Sequence, residues 1–144
     1  MKRPGLWLTA LALAVAACDI ETSDNGHLDG LWQLTAVDTL ATGSSTDMHL
    51  SGTYWAFQHH LLMVRDTIAA HPDVFFQFNH HADSLLLSSP YWSAREEGDL
   101  AVDDARDLHL MGIHQLQPRF AVRELSSGTM TLQSDLLRLH FRKY

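Results

Sequence analysis

The feature that most restricts how this chain can fold is a period of two at its C-terminal end. From Leu136 to Arg142, the residues Leu137, Leu139 and Phe141 fall on one side and Arg138, His140 and Arg142 on the other. That is the pattern of a strand with one face in a core and one in water. The preceding segments repeat it. Met130 and Leu132 oppose Thr129, Thr131 and Gln133, and before them Phe120 and Val122 oppose Ala121 and Arg123. Ser126-Ser127-Gly128 and Ser134-Asp135 supply turn residues between these segments, so three consecutive antiparallel strands are predicted. Pro118 suits the start of the first, where its missing N–H costs no ladder bond.

Upstream, Val74, Phe76 and Phe78 alternate with Phe75, Gln77 and Asn79. His81-Ala82-Asp83 then turns into a strand over Ser84–Ser88, which Ser89-Pro90 is expected to stop. Thr53–Gln58 and Leu61–Arg65 are rich in aromatic, β-branched and aliphatic residues and read as a hairpin around His59-His60. Leu31–Asp38 is the first strand, and Ala41–Asp47 after it reads as a polar loop crossing one end of the fold. One short helix is predicted, capped by Asp103 or Asp104, running through Met111 and ending at Gly112. Roughly eight short strands with little helix make an all-β domain, either a closed up-and-down barrel or a sandwich; closure leaves no exposed sheet edge.

The N-terminus has a different character. Lys2 and Arg3 precede a twelve-residue apolar run from Leu6 to Ala17, well short of the roughly 20 residues that span a bilayer, so residues 1–17 read as an export signal. Val15-Ala16-Ala17-Cys18 resembles the bacterial lipobox. That resemblance implies cleavage before Cys18 and its modification with acyl chains, several of which together form an essentially permanent anchor. Cys18 is the only cysteine, so no intramolecular disulfide is available. Residues 18–29 read as a polar, acidic, flexible tether. An acidic stretch after the cysteine also resembles the surface-export segment of Bacteroidetes lipoproteins, which implies the outer membrane and exposure at the cell surface. Without Lys2 and Arg3 the mature chain has eight basic against seventeen acidic residues, a formal charge of −9. That balance argues against nucleic acid as a partner, and no basic stripe is apparent along the chain. Residues 30–144 are expected to form one monomeric domain.

Gly30-Leu31-Trp32, opening the first strand, resembles the Gly-x-Trp signature of lipocalins and other calycins. The whole stretch from Gly30 to the basic-aromatic terminus also resembles the small lipocalin-like lipoproteins of Bacteroidetes. The resemblance implies an eight-stranded antiparallel up-and-down barrel, with Trp32 plugging one end beside a basic residue of the last strand. Arg142 is better placed for that role than Arg138, because the end of the last strand lies beside the start of the first. An eight-stranded barrel is wide enough to be filled by its own side chains or to hold one small ligand.

Tyr54, Trp55, Phe57, Phe75, Phe76, Phe78, Tyr91 and Trp92 are the residues able to line such a site, and packing is the ordinary role of most. Tyr91 and Trp92, placed in a loop after Pro90, are the candidates for ligand contact at the mouth. The ten histidines include no His-x-His, and the adjacent pairs His59-His60 and His80-His81 would point to opposite faces of a strand, so no metal site or cofactor is expected. Gly-x-Ser-x-Gly, His-Glu-x-x-His and the phosphate-binding glycine loop are absent, and Glu96-Glu97 reads as a solvated loop pair, so no enzyme is expected. Two functions remain. One is a lipid-anchored barrel holding a small apolar or amphipathic ligand; the other is a filled barrel whose outer face or mouth binds an envelope partner.

Overall fold

The computed structural model describes residues 23–68, 72–93 and 100–144. The export signal 1–17, Cys18, the first residues of the tether and Glu96-Glu97 lie outside the described residues. Among the described residues ten strands appear: β1 (Gly30–Thr39), β2 (Ser44–Asp47), β3 (Thr53–Gln58), β4 (Leu61–Asp66), β5 (Val74–His81), β6 (Ser84–Trp92), β7 (Leu100–Ala101), β8 (Arg119–Leu125), β9 (Thr129–Gln133) and β10 (Leu137–Lys143). Neighbouring strands pair in the order β10-β9-β8-β6-β5-β4-β3-β1, and β10 returns to β1, so eight antiparallel strands close into a barrel. The two short strands complete its edges. β2 pairs with Ala36–Thr39 while β3 pairs with Gly30–Gln33, so both follow one edge of β1. β7 and β8 likewise share one edge of β6.

The alternation places the core as expected. Leu137, Leu139 and Phe141 are buried, as are Met130, Leu132, Val74, Phe76 and Phe78. Two expectations fail for identifiable reasons. Ser89-Pro90 does not stop β6: the register shifts between Phe75 and Gln77, and the extra residues of β6 form a bulge in which Ser89 takes a φ of 53°. The bulge absorbs a proline that cannot donate to the ladder. The polar stretch 41–47 is not all loop, because Ser44–Asp47 turns back along β1 as a fully exposed strand, whose polar residues carry no alternation.

Tight hairpins join the strands at one end, at 59–60, 82–83 and 126–128, where the chain also enters through a 3-10 turn at Gly26–Leu28. This is the closed end. The longer connections lie at the other, the mouth end, among them residues 102–118. That segment contains the predicted helix as a 3-10 segment, Ala105–Met111, with Asp104 accepting the Arg106 N–H at 2.9 Å and Gly112 at φ 87°. Leu108, Met111 and Ile113 are fully buried in the barrel core.

Candidate functional site

The closed end is built from residues far apart in sequence. Trp32 donates its indole N–H to the Leu28 carbonyl at 2.9 Å, and the Lys143 ammonium stands 4.3 Å from the centre of its ring. Lys143 also donates to the carbonyls of His27, at 3.0 Å, and of Asp29. Gly30 makes room for it: its φ is 119°, and a Cβ there would lie 3.0 Å from the Lys143 Nζ. The basic plug residue is therefore Lys143, and Arg142 does not fill that place. Lys143 is the register partner of Trp32, whereas Arg142 pairs with Gln33 on the opposite face and donates to its side-chain oxygen at 2.9 Å. Burial lowers the Lys143 pKa from its ordinary value, against the opposing charge of Asp29.

Within the stretch read from the sequence as a tether, Ser23 to Asp29 is docked on the barrel. Ser23 donates to the Asp29 carboxylate at 2.5 Å and accepts the His59 N–H at 2.8 Å, while Asn25 donates to Asp29 at 2.7 Å and to the His59 carbonyl at 2.9 Å. Burial pushes the Asp29 carboxyl up, but the hydrogen bonds from Ser23 and Asn25 and the nearby His59 outweigh it and hold its pKa below the usual value.

Inside the barrel, Trp55 is the hub. Its ring centre lies 4.9 Å from that of Phe141, 5.9 Å from Phe120 and 6.4 Å from Phe57, and its N–H reaches the Met111 carbonyl at 3.2 Å. A Cβ on Gly112 would stand 3.0 Å from Leu139. The 102–118 segment therefore enters the barrel and occupies part of the space where a ligand would sit. Tyr91 and Trp92 are not loop residues. They end β6 on opposite faces of the wall, Tyr91 stacked on Phe75 at 5.5 Å and Trp92 against the core, so they do not form one site.

The outer wall holds what the sequence did not reveal. Arg119 and Arg123 on β8 and Arg138 and Arg142 on β10 lie two strands apart, with only neutral β9 residues between. Four of the chain's ten lysines and arginines thus share one side of the barrel, correcting the expectation of no basic stripe. Linear spacing hides it because β9 brings together residues nearly twenty apart. A cleft of about 350 Å³ opens beside this face, between the 112–118 return and the ends of β8 and β9, lined by His114, Gln117, Arg119, Arg123, Gln133 and Leu136 among others. The His114 ring stacks on His109 at 4.1 Å, and burial, then His109, lowers its pKa. Among the described residues no three His, Cys, Asp or Glu side chains converge as a metal-binding group.

A family model described as a lipocalin-like domain matches residues 11–144. Among solved structures, a lipocalin-like protein from Bacteroides uniformis ATCC 8492 is 20% identical with a TM-score of 0.63, covering 83% of this chain and 100% of that one. An uncharacterized protein from Bacteroides eggerthii DSM 20697 is 16% identical with a TM-score of 0.59, covering 81% and 99%. At these identities the likeness is one of fold. No curated protein matches the chain.

Proposed function

Because the chain belongs to the lipocalin-like domain family, we propose that it is a binding module with a packed barrel as scaffold, anchored through Cys18 to a bacterial envelope membrane. In this reading it meets another envelope component at its mouth end and on its outer wall, and carries no apolar passenger inside. The observation that supports this most is the occupied interior. A carrier of a small molecule needs roughly 300 Å³ of open pocket, and the Trp55 cluster and the inserted Met111 stand in that space. Of the seven exposed large apolar side chains among the described residues, five, Leu50, Ile68, Leu100, Leu110 and Leu136, belong to mouth-end connections or their margins, against Leu61 and Tyr144 at the closed end. Apolar side chains gathered at one end of a domain mark an interaction surface. Anchoring is supported by Lys2, Arg3, the apolar run to Ala17 and the position of Cys18.

Native mass spectrometry of the chain extracted from its host membranes in mild detergent tests both parts. The expected mass is that of residues 18–144 carrying acyl chains, unchanged in composition after denaturation. A reproducible small-molecule adduct released on denaturation would overturn the packed scaffold. An unmodified Cys18 would overturn the anchor.

A further inference from the structure

We propose that the cleft between the 112–118 return and β8–β9 binds a small organic oxyanion, a carboxylate or phosphate ester with a compact apolar body. The argument begins with how the arginines are used. Away from this face, the described arginines are ion-paired: Arg65 with Asp73 at 2.8 Å and Arg106 with Asp104 at 2.7 Å. On this face none is in an ion pair, although the Asp38 carboxylate, cross-strand from Arg138, feels its charge. Arg138 and Arg142 donate to the amide oxygens of Gln133 and Gln33, which neutralise no charge. Arg119 and Arg123 have no side-chain partner among the described residues, and both line the cleft. In a chain with seventeen acidic and ten basic residues, guanidinium groups outside any ion pair on the two strands that flank β9 are the reverse of what random pairing produces.

Among the described residues the competing acids are three, and Asp38, opposite Arg138 on β1, is engaged by His140 at 2.8 Å. Asp135 lines the cleft, and Glu124, beside Arg123, accepts the Thr129 hydroxyl at 2.6 Å. Planar guanidinium groups match carboxylate and phosphate oxygens in a bidentate manner. The rest of the lining suits a body attached to such a group, with Pro118, Phe120 and Leu136 apolar and Gln117 and Gln133 able to donate. About 350 Å³ falls within the range of small-molecule sites. The concavity favours a small molecule over a flat membrane surface. This inference rests on the packed-scaffold reading, since the interior is the other place such a molecule could enter.

The test is an amide NMR titration of the whole mature chain in phosphatidylcholine nanodiscs, with hexanoate as probe and hexanol as its uncharged counterpart. Hexanoate is expected to give saturable shifts at Arg119, Ala121, Gln133 and Leu136. Hexanol should bind about tenfold more weakly, and R119Q/R123Q should weaken hexanoate about tenfold with the remaining spectrum unchanged. Equal affinity for the two probes, or no saturable shift, would overturn the site and leave the scaffold standing. Shifts centred on Trp55 and Phe76 would overturn both. The same cleft shifts appearing only when phosphatidylglycerol is added to the nanodiscs would assign the face to lipid headgroups and overturn the small-molecule proposal.

Discussion

At the closed end, the segment Ser23–Asp29, the C-terminal residues and tight hairpins meet in a web of polar contacts: Lys143 on two carbonyls and an indole, Asp29 gathering Ser23 and Asn25. At the mouth end the described segment 102–118 reaches inward with Leu108, Met111 and Ile113 and leaves Leu110 in water. The first is secured by many small directional interactions, the second by apolar burial. The contrast teaches that the two seals should fail under different insults, the mouth to lost volume and the closed end to lost charge.

The largest effect should come from breaking the mouth-end seal at its deepest point. Trp55→Ala is expected to cost about 3–5 kcal/mol and Met111→Ala about 2–5 kcal/mol in denaturant unfolding. A cost for Met111→Ala below about 1 kcal/mol would mean that the segment is not part of the packed interior. Gly112→Ala comes next. Its positive φ and the crowding by Leu139 should cost about 1–3 kcal/mol, more than an ordinary Gly→Ala exchange.

At the closed end, Lys143→Met retains the alkyl stem and removes the charge, and should cost about 0.5–2 kcal/mol. Arg142→Met should fall within about 0.5 kcal/mol. Equal effects would erase the distinction between the plug residue and its neighbour. The smallest effect is acid sensitivity. The folded pKa of Asp29 is depressed, so its stabilisation is complete above its ordinary value of 3.8 and is lost as the pH falls through the lower folded value. Amide signals of residues 23–29 should therefore loosen below about pH 4 before those of 105–113, and Asp29→Asn should abolish that difference. Simultaneous loosening would place the weak point elsewhere.

The barrel was legible because its strands alternate: β8, β9 and β10 lie within a residue or two of where Phe120, Met130 and Leu139 put them. Trp32 was found as the plug through Gly30-Leu31-Trp32. Its cation was misplaced by one residue, although the period of two that turns Leu137, Leu139 and Phe141 inward carries on to Lys143 and leaves Arg142 on the outer face. β2 stayed hidden since Ser44–Asp47 buries nothing and so has no pattern to read. Tyr91 and Trp92 were assigned to a loop because Pro90 is locally a stop, and only pairing with β5 carries the strand past it. The basic face needed the fold, since Arg119 and Arg138 become neighbours only across β9.

The docked segment Ser23–Asp29 also sets a leash. If Cys18 carries the anchor, only residues 19–22 separate it from Ser23. At most about 3.3–3.6 Å per residue, that permits a reach of under roughly 20 Å. The lysine-plugged floor of the barrel would then be held toward the lipid, with the leucine-bearing rim and the arginine cleft turned outward, so that a short stretch of chain decides which side of the molecule its partners meet first.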